Sequence, residues 1–190
     1  MATRHKVGYL IGSLSSTSIN RRLSKALVRL APAELTLEEI SFRELPLYSQ
    51  DHDANYPPVA RAFKQAILES DAILFITPEY NRSIPGGLKN AIDWASRPYG
   101  QNAFARKPTA VIGASIGAIG TALAQQSLRG VLAFCDAPQM TSPEAYIQYK
   151  DGLITDDGQV TVDSTRDFLR NYMKQFHDFV TRVRSALPKE

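Results

Sequence analysis

Residues 71–78 read Asp-Ala-Ile-Leu-Phe-Ile-Thr-Pro, and this stretch decides the fold class. Its apolar run lies between an acidic residue and a proline, without the alternation of apolar and polar residues that a half-exposed strand shows. A strand that is apolar on both faces is typical of a parallel sheet covered by helices on both sides. The stretch therefore predicts a central parallel strand, which we place at residues 72–77.

Strand-like and helix-like segments alternate on either side of this central strand. Short apolar or alternating runs predict four more strands, at residues 7–11, 35–40, 110–114 and, more weakly, 139–141. Apolar residues at helical spacing predict helices near residues 19–30, 58–70, 88–96, 121–134 and 168–183, and glycines predict a turn or small hairpin at 152–158. Such alternation indicates an α/β protein, because each parallel strand must be followed by a crossover.

The number of strands predicts the architecture. We expect a three-layer, doubly wound, parallel five-stranded sheet in the flavodoxin-like order 2-1-3-4-5, forming one domain over residues 1–190. In such a sheet the ligand crevice lies at the carboxyl ends of the strands, where the strand order reverses. The loops expected to carry the chemistry are therefore 12–20, 78–87 and 115–120.

Composition and charge exclude several classes of function. Twenty-two Lys and Arg residues against nineteen Asp and Glu residues leave a net charge of +3, and these charges are scattered, so we expect no nucleic-acid partner. No apolar run approaches the ~20 residues that span a bilayer, so we expect a cytoplasmic protein without a membrane partner. Cys135 is the single cysteine, and it lies in an apolar stretch typical of a buried thiol. The three histidines, His5, His52 and His177, lack the spacing of metal ligands, so we predict no metal.

The first loop is rich in hydroxyl side chains. Residues 12–20 read Gly-Ser-Leu-Ser-Ser-Thr-Ser-Ile-Asn, at the turn from a predicted strand into a predicted helix. The backbone N–H groups and the dipole at such a helix start favour an anion. A simple N-cap would need Ser18 alone, so the additional Ser13 and Ser15 favour phosphate binding. The P-loop motif and the three-glycine dinucleotide motif are both missing, which favours a single terminal phosphate such as that of FMN.

The second loop has features that suit a planar ring. Residues 77–87 read Thr-Pro-Glu-Tyr-Asn-Arg-Ser-Ile-Pro-Gly-Gly, and they combine restricted backbone with an aromatic side chain. Tyr80 would supply apolar surface, and backbone N–H groups would face the acceptors of the ring. An ordinary Pro/Gly loop is the alternative, and it would be preferred if this loop stood alone. For Arg82, a solvated loop charge and a contact to a dinucleotide phosphate both stay open.

Three sequence blocks together resemble a known family. G-S-L at 12–14 with Ser18 and Asn20, P-E-Y-N at 78–81 and G-x-L-K-N-A-I-D-W at 86–94 resemble the NADPH-dependent FMN reductase family, and in particular its quinone and chromate reductases. The resemblance covers roughly residues 6–147. It implies a flavodoxin-like fold that binds FMN.

The resemblance also implies which residues surround the cofactor. Ser13, Ser18, Ile19 and Asn20 would surround the phosphate. Pro78, Glu79, Tyr80, Asn81 and Ser83 would lie along the isoalloxazine ring, with Ser115 and Gly117 on its other side. Relatives commonly carry arginine directly after G-S-L, where this chain has Ser15. Because that change removes a charge-assisted contact, how strongly the phosphate is held stays open.

The function implied is an FMN-dependent NAD(P)H oxidoreductase. Hydride would pass to flavin N5 and then, by a ping-pong scheme, to a small-molecule acceptor, with quinones foremost and chromate, azo or nitro compounds as side substrates. The flavin would carry the chemistry, so no catalytic acid, base or nucleophile is assigned. Relatives are usually dimers or tetramers, which makes the helix at 88–94 a candidate interface, while Trp94 is equally suited to the core. A non-enzymatic electron carrier is the alternative; a serine hydrolase is disfavoured because no G-x-S-x-G motif is present.

Overall fold

A computed structural model describes residues 4–187. Along this part of the chain, strands and helices alternate as the sequence predicts. The elements are β1 His5–Ile11, α1 Ile19–Leu30, β2 Leu35–Glu39, α2 Pro58–Glu69, β3 Ala72–Ile76, α3 Gly86–Ser96, β4 Thr109–Ser115, α4 Ala122–Phe134, β5 Tyr146–Gln148 and α5 Asp163–Ala186. A short 3₁₀ helix, Gln50–His52, lies in the long connection between β2 and α2.

The strands form one parallel sheet in the order β2-β1-β3-β4-β5. β3 pairs with β1 on one side, with Ala72 opposite Val7, and with β4 on the other, with Ile73 opposite Thr109. Every residue of β3 is buried, as expected for a strand covered on both faces. The predicted doubly wound α/β fold and its 2-1-3-4-5 order are therefore confirmed.

The fifth strand was placed wrongly by the sequence pattern. It is Tyr146–Gln148, not residues 139–141, and it pairs with β4 through Gly113 and Tyr146. Gln139 makes only an isolated bridge to Thr109, at the start of β4. Both segments run beside the same strand, but β5 has only three residues. A strand so short carries no alternation that distinguishes it from a bridging loop.

Two apolar layers cover the two faces of the sheet. On one face, Leu23 and Leu27 of α1 pack with Tyr172 and Phe176 of α5. On the other face, side chains of α2, α3 and α4, such as Phe63, pack against the sheet. The predicted hairpin near residue 155 is present as a bridge between Ile154 and Val160.

Trp94, for which the sequence left two interpretations, and Cys135, predicted as a buried thiol, both lie inside the protein. Trp94 of α3 is fully buried, its indole N–H donates to the carbonyl of Pro46 at 2.7 Å, and the ring packs against Tyr48 and Tyr56. Trp94 therefore belongs to the core. Cys135 is buried after α4, and burial raises the pKa of its thiol. No helix among residues 4–187 has both the length and the apolar character needed to cross a bilayer.

Candidate functional site

The loops that follow β1, β3 and β4 enclose a cleft of about 220 Å³. It lies at the carboxyl edge of the sheet, where the strand order reverses, which is the position expected for a ligand. Its walls are formed by Ser13, Ser18, Ile19, Asn20, Pro78, Glu79, Tyr80, Ala114, Ser115 and Ile116. Hollows of about 340 and 410 Å³ elsewhere are lined mainly by α2 and by the β5 edge, away from the loops singled out by the sequence.

The first loop ends in a capped helix whose positive end is not neutralised. The Ser18 hydroxyl accepts the backbone N–H of Asn20 at 3.2 Å and so caps α1. No acidic residue occurs in the first turn of α1, and the Ile19 N–H has no hydrogen-bond partner within the described chain. Such a helix start, beside the Ser13 hydroxyl, is suited to an anion.

Asn20 holds the two sides of the cleft together. Its side-chain amide donates to the Ala114 carbonyl and accepts the Ala114 N–H, both at 2.9 Å, and the residue is almost fully buried. This reciprocal pair joins the first turn of α1 to the end of β4. The Asn20 side chain therefore positions the cleft, and this pair uses its carbonyl oxygen and one of its two amide N–H groups.

The second loop folds into a tight hairpin. Tyr80 and Ser83 exchange two backbone hydrogen bonds of 3.0 Å, and the residues between them, Asn81 and Arg82, have φ angles of 50° and 66°. Two consecutive left-handed residues define a type I′ turn. The hairpin holds Tyr80 at the wall of the cleft with half of its surface exposed. An aromatic face is thus available to a planar ligand.

Glu79 fixes this hairpin to the next helix. Its Oε2 accepts the N–H groups of Leu123 and Ala124 at 3.0 and 3.1 Å, at the start of α4. The same carboxylate pairs with Arg82 at 3.3 Å. The positive end of α4 is therefore already occupied by a carboxylate, whereas that of α1 is open. A phosphate consequently has one helix start to bind in this cleft, at α1.

The structure brings most of the predicted residues together. Four of them lie outside the wall. Ser15 is exposed and its hydroxyl bonds that of Thr17, and Asn81 is at the hairpin tip. The Ser83 hydroxyl is 3.0 Å from that of Ser127, and the Gly117 N–H donates to the Ser115 hydroxyl. Ala114 and Ile116 line the cleft and were missed. Their position at the carboxyl end of β4 was the available signal, since neither residue type indicates chemistry.

The donor set fits a flavin phosphate and ring. The first loop contributes hydroxyls and a free N–H to the cleft, and the loops after β3 and β4 contribute aromatic and apolar side chains such as Tyr80 and Ile116. Within residues 4–187, no three His, Cys, Asp or Glu side chains are grouped to hold a metal ion. The fold and the lining of this cleft are those of a flavodoxin-like flavoprotein.

Comparison with known proteins identifies the family. The family model for NADPH-dependent FMN reductases matches residues 5–151, and the chain belongs to this family. It is 48% identical over 175 residues to a 2-hydroxy-1,4-benzoquinone reductase of a Burkholderia species, covering 92% of this chain and 96% of the relative. It is 46% identical to a quinone reductase of Pseudomonas putida, covering 98% of this chain and all of the relative.

A solved structure agrees with the sequence comparisons. The flavoenzyme NAD(P)H:(acceptor) oxidoreductase FerB from Paracoccus denitrificans superposes with a TM-score of 0.90 at 44% identity, covering 94% of this chain and 98% of that one. The protein is therefore an enzyme, an NAD(P)H-dependent oxidoreductase that uses FMN. The implied family, fold and cofactors are confirmed.

Proposed function

We propose that the enzyme transfers two electrons from NAD(P)H to quinones. The observation that carries this proposal is the cleft whose lining combines the anion-receptive start of α1 with the Tyr80 hairpin. Relatives at 46–48% identity over nearly the whole chain are quinone reductases, which supports the same acceptor class here. FMN, when bound, supplies the hydride-transfer chemistry.

The residues of this chain bind and orient the cofactor. The free N–H of Ile19 and the hydroxyls of Ser13 and Ser18 would hold the phosphate, and the hairpin backbone around Tyr80 would lie along the ring. Further contacts to the cofactor are proposed for Ser15, Asn81, Ser83 and Gly117, which border the wall, and for Asn20, Pro78, Glu79 and Ser115, which form part of it. We assign no catalytic acid or base. Binding and orientation are then the main contributions of the protein.

The cleft supports a scheme in which the two substrates bind in turn. Tyr80 and Ile116 both line the cleft and are exposed at its opening, so reductant and acceptor would compete for the same space. That arrangement supports ping-pong kinetics. The opening is bordered by apolar surface, which suits flat quinones, and we include chromate and azo or nitro compounds as side acceptors because the opening is not closed over.

Family membership favours this enzyme over a non-enzymatic electron carrier. We also propose a single FMN-binding domain over residues 1–190, because every element of the described chain packs on one sheet.

We further propose that the enzyme forms a homodimer or homotetramer. Exposed residues of α3, such as Lys89, are the candidate interface. We propose that it acts in the cytoplasm, without a nucleic-acid or membrane partner.

Steady-state kinetics test the acceptor class and the order of binding. Initial rates with NADPH and 1,4-benzoquinone, each varied at several fixed concentrations of the other, should give parallel double-reciprocal lines. NADH in place of NADPH then measures the dinucleotide preference. Intersecting lines would show that both substrates bind at the same time and would contradict the ping-pong scheme. An FMN-loaded enzyme that is inactive with benzoquinone would contradict the acceptor class.

Two aromatic substitutions test where the chemistry occurs. Tyr80→Ala should raise the KM for NADPH and for benzoquinone, because it removes half-exposed aromatic surface from the cleft. Phe134→Ala is the matched control, since Phe134 is 83% exposed at the far end of α4. Equal changes in KM from the two substitutions, or no change from Tyr80→Ala, would contradict the placement of the flavin ring beside Tyr80.

A further inference from the structure

Arg43 reaches the hydroxyl-rich loop from a different part of the chain. It follows β2, and its Nη2 donates to the carbonyl oxygen of Leu14 at 2.6 Å. Leu14 lies in the middle of the loop between β1 and α1. The guanidinium is thus held against the segment that carries Ser13 and Ser18, although the two residues are 29 positions apart.

The positive charge of Arg43 has no carboxylate partner in the described part of the chain. No ion pair within residues 4–187 includes this side chain, which is exposed to solvent. The neighbouring Arg21 is different, because both of its terminal nitrogens bond Glu39, at 2.9 and 3.0 Å. Of these two arginines, Arg43 is the one without a carboxylate partner beside the loop.

The Leu14 contact uses only part of the guanidinium. Arginine has five N–H donors in a planar fork, and one bond to a carbonyl leaves most of them for a second acceptor. The loop presents hydroxyls, backbone N–H groups and the positive end of α1, which favour an anion. The two carboxylates nearby are already bonded, Glu39 to Arg21 and Glu79 to the start of α4. Ser15 contributes no charge, so the loop itself contains no cation.

We propose that Arg43 donates charge-assisted hydrogen bonds to the FMN phosphate and so supplies the cation of the phosphate site. The Leu14 carbonyl positions the guanidinium for this contact. The proposal rests on the placement of the phosphate at the start of α1, which belongs to the proposed function above. It assigns a cofactor-binding role to a residue outside the three loops that the sequence singles out.

Flavin affinities measured with and without the phosphate test this role. Binding of FMN and of riboflavin to the apoprotein is followed by quenching of flavin fluorescence, which needs no turnover. Arg43→Met should weaken FMN binding about tenfold and leave riboflavin binding unchanged, because only FMN carries the phosphate. Arg43→Lys should lie between Arg43→Met and the unaltered protein, since it keeps the charge without the fork.

Arg22→Met is the matched control. Arg22 belongs to the same helix start but bonds Asp156, so this substitution removes one positive charge without touching the loop. The ratio of FMN to riboflavin affinity should stay at its original value in this variant. Thermal unfolding of each apoprotein verifies that the variants fold.

The outcomes separate this proposal from the placement on which it rests. If Arg43→Met weakens FMN and riboflavin equally, the residue only shapes the loop through Leu14 and the proposal is overturned. If Arg43→Met leaves both flavin affinities unchanged while the unaltered protein prefers FMN, the phosphate lies at the start of α1 as proposed, but Arg43 does not contact it and the proposal is overturned. If the unaltered protein binds both flavins equally, the phosphate site itself is contradicted, and this proposal with it.

Discussion

At the scale of single residues, the carboxylate of Glu79 links the hairpin to helix α4. It accepts two N–H groups at the helix start while its side chain is almost fully buried. A negative charge at this position is stabilised by the helix dipole as well as by the two bonds. The sequence placed Glu79 in the correct loop, but its partners lie 44 and 45 residues away and carry no recognisable side-chain signal.

Glu79→Gln should therefore destabilise the protein. The amide keeps one acceptor for the α4 N–H groups but loses the charge, for an expected loss of about 1 kcal/mol in the free energy of unfolding. Urea denaturation monitored by circular dichroism measures it. The control is Glu38→Gln. The Glu38 carboxylate makes an exposed ion pair with Lys6, and such a pair contributes little to the free energy of unfolding. Equal losses in the two variants would contradict the capping role of Glu79.

The turn at Asn81 and Arg82 makes a second prediction at this scale. Arg82 has a φ of 66°, and a left-handed conformation costs a residue with a Cβ about 1–2 kcal/mol relative to glycine. Arg82→Gly and Arg82→Ala both remove the pair with Glu79, so they differ mainly in this backbone cost. The glycine variant should be the more stable by about 1 kcal/mol in thermal or urea unfolding. An alanine variant of equal or greater stability would argue against the left-handed turn.

At the scale of elements, the cleft depends on how α1 is joined to β4. The reciprocal bonds between Asn20 and Ala114 connect residues 94 positions apart and fix the helix start beside the strand end. Asn20 was predicted as a cofactor ligand because the family resemblance implies it. Its partner could not be predicted, because a backbone group of an alanine has no sequence signature.

Asn20→Ala should cost about 2–4 kcal/mol in the free energy of unfolding, because it leaves the buried N–H and carbonyl of Ala114 without partners. The same variant should bind FMN more weakly, since the helix start loses its position. Asn55→Ala, in an exposed loop, serves as the control. A loss below about 0.5 kcal/mol would mean that water replaces the amide and that the Asn20–Ala114 hydrogen bonds do not hold α1 to β4.

Element prediction from the sequence was most successful where apolar patterns were long. The central strand and its neighbours were recovered because buried parallel strands are continuous apolar runs. The failure at β5 has a physical cause: its three residues pair with β4 through backbone bonds, and only Ile147 is buried. Within β4, Gly113 allows close packing that no other residue would, because a Cβ there would lie 2.0 Å from the Thr77 carbonyl oxygen.

At the scale of the whole molecule, the first strand and the last helix meet through histidines. His5 Nε2 lies 3.2 Å from the Thr181 hydroxyl, and the His5 and His177 rings are 6.0 Å apart. Burial is the main cause that lowers the pKa of His5, and the charges of His177 and Arg184 act in the same direction while Asp71 opposes them. The folded protein therefore binds a proton at His5 less readily than the unfolded chain does.

This difference predicts a pH effect with a defined sign. Because the pKa of His5 is lower in the folded state than its ordinary value of 6.5, stability falls as the pH drops below about 6.5. His5→Gln keeps a donor for Thr181 but does not titrate. The free energy of unfolding between pH 7.5 and pH 5 should thus decrease less in this variant than in the unaltered protein. Identical decreases would contradict an uncharged His5 in the fold.

We propose that the cleft at the carboxyl edge holds FMN, which NADPH reduces and a quinone reoxidises. The most direct measurement is the absorbance spectrum of FMN-loaded, desalted protein under anaerobic conditions, first with NADPH and then with 1,4-benzoquinone. We expect flavin absorbance that survives desalting, bleaches with NADPH and returns in full when the quinone is added. Flavin lost on desalting, or retained flavin that NADPH leaves unchanged, would contradict it.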